Sequence, residues 1–237
     1  MIDCRQPFSV NRCYAGMEEK KAAKKTLKKS TEEKIREGYI AHILEHGERP
    51  ASIYKFIKSI KIKEEEFYNH FNSFDNIEKD IWLSVFKMTL EMVKNDSVYD
   101  EYSVREKMLA FFYTYVEQLK SYRSFILQTV PKKIRPELTP YYLVEVRKAF
   151  KEWVNELLLE GEETEEIEQR PLIGKKYDEA LWFQFLFVIG FWIKDNSKAF
   201  EKTDAAIEKS VNLAFDLMGR GPLDAMLDFG KFLFQNR

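Results

Sequence analysis

Apolar residues return every three or four positions along most of this 237-residue chain, and runs of alternating polarity are few. That period places them on one face of a helix. The first clear stripe is Ile35, Tyr39, Ile43 and Leu44, closed by Gly47. Ser52, an N-cap just after Pro50, opens a second with Ile53, Phe56, Ile57 and Ile60. Lys61-Ile62-Lys63 is too short for anything but a turn with its one apolar residue inward. Beyond it Phe67, His70 and Phe71 repeat at three and four residues, behind the acidic opening Glu64, Glu65 and Glu66. Two short helices about a tight turn make a helix-turn-helix pattern.

Longer stripes follow. Residues 77–93 predict a helix with Ile77, Ile81, Val85, Met88 and Met92 in line, connecting a small head to a larger body. Residues 104–119 (Met108, Phe111, Phe112, Tyr115, Leu119) and 122–130 predict two more, the second ended by Pro131 and Pro136. Pro140 opens a helix through Leu159 with Val144, Phe150, Trp153, Val154 and Leu157 inside, and the acidic run from Glu160 to Glu168 is expected to face solvent. Residues 180–193 are apolar all round apart from Gln184, yet too short to span a bilayer. Such a helix has to be covered on every side, at the centre of a monomer or by a second subunit. With residues 203–218 (Ala206, Ile207, Val211, Ala214, Phe215, Met218) it would supply half of a four-helix interface over residues 177–218. Gly219 and Gly221-Pro222 end that helix, and residues 223–234 form a last short one. The predicted fold is all-α: an arm at 1–29, a helix-turn-helix domain at 30–77 and a helical body at 78–237.

Composition changes this picture little. Nine glycines and seven prolines suit helices, and 38 basic against 39 acidic residues argue for no particular partner. The length can bury a core without disulfides or metals. Cys4 and Cys13 are the only cysteines, with no C-x-x-C pair, and a reducing, cytoplasmic setting is expected. The opening sixteen residues lack the apolar region of a secretory signal, and read as a disordered lead or an upstream start with Met17 as initiator. Lys20, Lys21, Lys24, Lys25, Lys28 and Lys29 then occur with no acid among them, a basic arm for phosphates or a minor groove, or a solvated extension of the first helix. Nineteen Phe, twelve Tyr and four Trp imply bulky cores or an apolar cavity.

Catalytic chemistry is not indicated. His42-Ile43-Leu44-Glu45-His46 fits the H-x-x-E-H pattern of a zinc peptidase, but the helix ends at Gly47 and no third ligand can be named, so no metal site is expected. No nucleophile–base pair, phosphate loop or paired carboxylate in apolar surroundings is present, so neither enzyme nor cofactor is expected.

The order from Ile35 to Gly47, through Ser52-Ile53, Phe56-Ile57, Ile60 and Ile62, to Phe67-Tyr68-Asn69-His70-Phe71 resembles the DNA-binding head of the tetracycline-repressor (TetR) family over residues 31–77. The resemblance implies a homodimeric, ligand-responsive transcriptional regulator. DNA would meet Ser52, Lys61, Lys63, Tyr68, Asn69 and His70, with Lys24, Lys25 and Lys28 of the arm. A small apolar ligand would lie among Phe111, Phe112, Tyr115, Phe150, Trp153 and Trp182, its polar end held by a tyrosine or Gln184; the same aromatics at helical spacing also suit plain core.

This chain departs from the family pattern at several positions. Lys61 stands where the family has a turn glycine, Lys63 where it has a small hydroxyl, Glu65 and Glu66 where it has a small residue and a phosphate-binding threonine, and Phe74 where it has a lysine anchor. Arg49, Lys55, Lys58, Lys61 and Lys63 are matched by Glu48, Glu64, Glu65, Glu66 and Asp75, so the head is neutral, whereas duplex DNA is held by cations that displace its counterions. The acidic run either stabilises the first turn of its helix or accepts from cytosine. The alternative is a lipid- or isoprenoid-binding accessory protein that keeps this architecture without DNA.

Overall fold

Serine caps start most of the head. In the computed structural model, which describes residues 30–130, 139–170, 174–219, 221, 229–230 and 232–235, helix α1 (Thr31–His46) begins at a capping box. The Ser30 hydroxyl accepts from Glu33 N at 3.1 Å and the Glu33 carboxylate accepts from Ser30 N at 3.2 Å. α1 stops at Gly47, whose φ of 72° is a left-handed cap that glycine adopts without strain. Ser52 caps α2 (Ile53–Ser59) and Ser73 caps α4 (Phe74–Lys94) in the same way. Between α2 and α3 (Glu64–Tyr68) the chain reverses at Lys61, which holds φ 55°, while Ile62 N donates to Ile57 O at 3.0 Å.

The four-residue period also holds in the body: α5 (Val104–Lys120), α6 (Arg123–Thr129), α7 (Val144–Glu163), α8 (Tyr177–Lys194) and α9 (Glu201–Met218). There is no strand among the described residues, and none of their helices is long and apolar enough to cross a membrane. The fold is all-α. The arm with Lys24, Lys25 and Lys28, and most of the last predicted helix, lie outside the described residues.

Two expectations need correction. α4 begins three residues before the predicted start, and its buried stripe runs through Ile77, Glu78, Ile81, Trp82, Val85, Phe86, Thr89 and Val93, leaving Met88 exposed. Trp82 and Phe86 outcompete the methionines because α4 turns that side to α5 and α7. The acidic run is not simply solvent-facing either. Glu160 holds the buried Lys107 at 2.5 Å, and Glu166 accepts from Val104 N at 2.8 Å and Arg105 N at 3.3 Å, capping α5, whose free N–H groups attract a carboxylate.

One apolar core runs through head and body. Tyr39 of α1 stacks on Phe74 of α4 at 5.4 Å and meets Phe125 of α6 edge-on at 6.2 Å. Phe74, where the resemblance led one to look for a phosphate anchor, is thus a packing residue of the head.

Candidate functional site

In the head, Phe56 and Phe67 are buried against each other and hold α2 and α3 at a fixed angle, with Phe71 buried behind them. Ser52, Lys61, Lys63, Tyr68, Asn69 and His70 are all exposed. The Ser52 hydroxyl accepts from Lys55 N, so its oxygen is partly committed to the cap. α3 is five residues long and ends at Tyr68, which puts Asn69 and His70 in the turn after it. Tyr54 on α2 is also exposed, with the Lys58 ammonium 5.8 Å above its ring; sequence reading passed over it because a lone tyrosine on a polar face carries no pattern.

Beneath the head lies a polar junction that sequence reading also missed. The Glu78 carboxylate of α4 is buried and accepts from the Tyr39 hydroxyl at 2.6 Å, from Arg49 Nε at 3.0 Å and Nη2 at 2.8 Å, and from the Tyr141 hydroxyl. Arg49 also reaches Tyr141 Oη at 2.7 Å and Asp75 at 2.8 Å. A buried carboxylate needs such partners. They come from α1, from the loop after it, and from a 3-10 turn (Tyr141–Leu143) at the foot of α7. Burial, then the bond to Glu78, pushes the Tyr39 phenol well above its ordinary value. A sequence signal did exist: Phe74, Glu78 and Trp82 fall four apart on one side of α4.

In the body, the predicted aromatics come together. Phe111 lies 4.6 Å from Trp153 and stacks on Tyr115 at 5.4 Å, Phe150 is 5.0 Å from Phe185, and Trp182 stacks on Phe185 at 5.0 Å. Phe112 joins through Phe111 at 5.5 Å. All are buried, and two of their polar atoms, Tyr115 Oη and Trp153 Nε1, have no hydrogen-bond partner among the described residues. Burial alone drives the Tyr115 phenol far upward. Trp182 Nε1 donates to Thr139 Oγ1 at 3.1 Å, two residues before Tyr141. Gln184 is elsewhere: it lies on the outer face of α8, where its amide donates to Ser210 Oγ of α9 at 3.2 Å. That face is an open apolar concavity of about 780 Å³, walled by Leu181, Phe183, Phe187, Leu213 and Leu217.

Comparison with known proteins bears on this arrangement. Residues 107–233 match the family model described as "Tetracyclin repressor-like, C-terminal domain". No curated protein matches the chain. Among solved structures, the fold is similar to that of a protein from Syntrophomonas wolfei described as a TetR-family transcriptional regulator. Identity is 16%, the match covers 79% of this chain and 94% of that one, and the TM-score is 0.58. A protein from Shewanella sp. PV-4, described as a TetR-family transcription regulator, is 13% identical over 80% of this chain and 98% of its own, with a TM-score of 0.55. A protein of unknown function from Rhodococcus sp. RHA1 is 12% identical over 83% and 100%, with a TM-score of 0.54.

Proposed function

Because the chain belongs to the tetracycline-repressor family, we propose that it is a ligand-responsive transcriptional regulator that reads duplex DNA as a homodimer. The observation that carries this reading is the head's division of labour. Among the described residues, the aromatics that shape it, Phe56, Phe67 and Phe71, are inside, and Ser52, Lys61, Lys63, Tyr68, Asn69 and His70, which are expected to touch DNA, are outside. Tyr68, Asn69 and His70 offer hydrogen bonds to base edges or phosphates, Lys61 and Lys63 offer charge, and Lys24, Lys25 and Lys28 of the arm would add more.

The ligand is an apolar molecule carrying a hydrogen-bond acceptor, taken up where the rings of α5, α7 and α8 meet. Tyr115 Oη and Trp153 Nε1 are donors without partners among the described residues, in an otherwise apolar setting that a ligand's acceptor would satisfy. Parting those rings displaces Trp182. Its indole pulls on Thr139, Thr139 carries Tyr141, and Tyr141 holds Glu78 and Arg49 at the base of the head. Occupancy of the body therefore reaches the head through a connected set of bonds, and the change in tilt re-spaces the two heads of a dimer. The α8–α9 concavity is the face on which the second copy sits, continuing the apolar side of both helices.

Fluorescence anisotropy against duplex DNA from upstream of the protein's own gene, with a scrambled duplex as control and a series of salt concentrations, tests the reading. Selective binding to the upstream duplex is expected. The slope with salt then counts phosphates, shallow for the neutral head alone and steep where the arm lysines also engage. Equal or absent binding to both duplexes overturns it. That result would favour the accessory-protein reading, to which Glu64–Glu66 on the exposed side of α3 lend weight.

A further inference from the structure

α1 ends in His42-Ile43-Leu44-Glu45-His46 before its glycine cap, and neither histidine has a part in the head's core. Ile43 between them is buried, which fixes the rotation of this last turn and leaves both imidazoles on its outer side. Their rings lie parallel, 4.2 Å apart at 14°. His46 Nδ1 is 3.1 Å from the His42 carbonyl oxygen, and a carbonyl can only accept, so Nδ1 carries the proton. The His46 lone pair is then on Nε2, on the far side of the ring from the backbone. A hydrogen bond of this kind, from the second ring nitrogen to a main-chain oxygen, is what orients histidines that bind metals.

We infer that His42 and His46 form a chelating site for a borderline divalent transition ion, each supplying one imidazole nitrogen. Histidines four apart on a helix stand side by side, here with ring centroids 4.2 Å apart; two metal–nitrogen bonds of about 2.0–2.1 Å need the donor nitrogens roughly 3 Å apart, and turning the His42 ring out of the stack toward His46 Nε2 brings them together. Because His42 makes that movement, the His46 Nδ1 bond to the His42 carbonyl is kept. Imidazole donors rank the ions Cu²⁺ first, with Ni²⁺ and Zn²⁺ weaker and Mg²⁺ excluded. No group of three His, Cys, Asp or Glu that could hold a metal exists among the described residues. The site is therefore a two-residue one, its other positions filled by water. Two protein ligands make it exchangeable, and without a third it lacks the constellation of a zinc hydrolase. What the ion does is staple the last turn of α1, the helix whose Tyr39 hydroxyl is bonded to Glu78, so occupancy stiffens the head from its outer end.

Isothermal titration of the full chain with Cu²⁺, Ni²⁺, Zn²⁺ and Mg²⁺ in a non-coordinating buffer tests this. His70, the third of three histidines, and Cys4 and Cys13 are the competing donors, so titrations use the Cys4→Ser, Cys13→Ser background with His70→Ala as a control. Binding of one Cu²⁺ per chain is expected, tighter than Ni²⁺ or Zn²⁺ and with no Mg²⁺ heat. His42→Ala or His46→Ala should each weaken it by at least about thirtyfold, and His70→Ala should leave it unchanged. Losses below about threefold for both variants, or a loss that follows His70, overturn the assignment. Electron paramagnetic resonance of the Cu²⁺-loaded parent needs no histidine variant: hyperfine coupling to two imidazole nitrogens supports the site, and coupling to one or none refutes it.

Discussion

A single carboxylate gathers the polar contacts beneath the head, beside the apolar core that joins head and body. Replacing it by the neutral isostere, Glu78→Gln, keeps the shape but turns an amide N–H toward donors from Tyr39, Arg49 and Tyr141. Leaving such groups unsatisfied in a buried place costs about 2–3 kcal/mol, which urea denaturation would read as a lower midpoint at unchanged slope. Tyr115 is the opposite case. Its hydroxyl is buried without a partner among the described residues, so Tyr115→Phe is expected to leave thermal stability unchanged or raise it by about 1 kcal/mol while weakening binding of the proposed body ligand. A clear loss of stability on melting would show that the hydroxyl is already satisfied. These two residues mark what could and could not be read from the chain alone. Tyr115 falls on an apolar stripe and was legible as interior. Glu78 looks like any solvated glutamate of a long helix, and its partners lie 29 to 63 positions away, a distance no local pattern spans.

At the scale of elements, the period of apolar residues revealed the helices, and capping chemistry decided where they end. α4 starts early because Ser73 caps it, and α7 runs on past Leu159 to Glu163, where Glu160 pairs with Lys107 of α5 and Glu166 just beyond caps that helix. The tie between α7 and α8 is electrostatic as well as apolar. The bond from Arg147, then that from Lys151, hold the Glu179 carboxyl down at about 2. A group whose folded value is depressed stabilises fully above its ordinary value of 4.5 and loses that contribution as the pH falls toward 2. Acid titrations of the native chain and of Glu179→Gln should therefore differ most at neutral pH and converge as the pH falls through that window. A difference that is constant with pH would mean the ion pairs add nothing to the fold.

For the whole molecule, the outer face of α8 and α9 is the proposed contact with a second copy. Leu213 is 60% exposed in a single copy, so Leu213→Glu should leave the helical circular dichroism intact while placing a charge in the proposed contact. Sedimentation is expected to give a dimer for the native chain and a monomer for the variant, and a variant that still sediments as a dimer would move the contact elsewhere. The apolar-all-round character of the helix was legible in the sequence, and the body leaves Phe183 and Phe187 on one side of it exposed; Gln184 was legible as an exception, but its place on that outer face depends on Ser210 of a neighbouring helix. The balance of acids and bases across the head also sets how the protein meets a changing environment. On the proposed reading, a duplex held by the head alone gives up few of its condensed ions, and the arm lysines are what would make the grip answer to ionic strength. An osmotic upshift would then loosen the arm first and leave the fit of the head to hold the site.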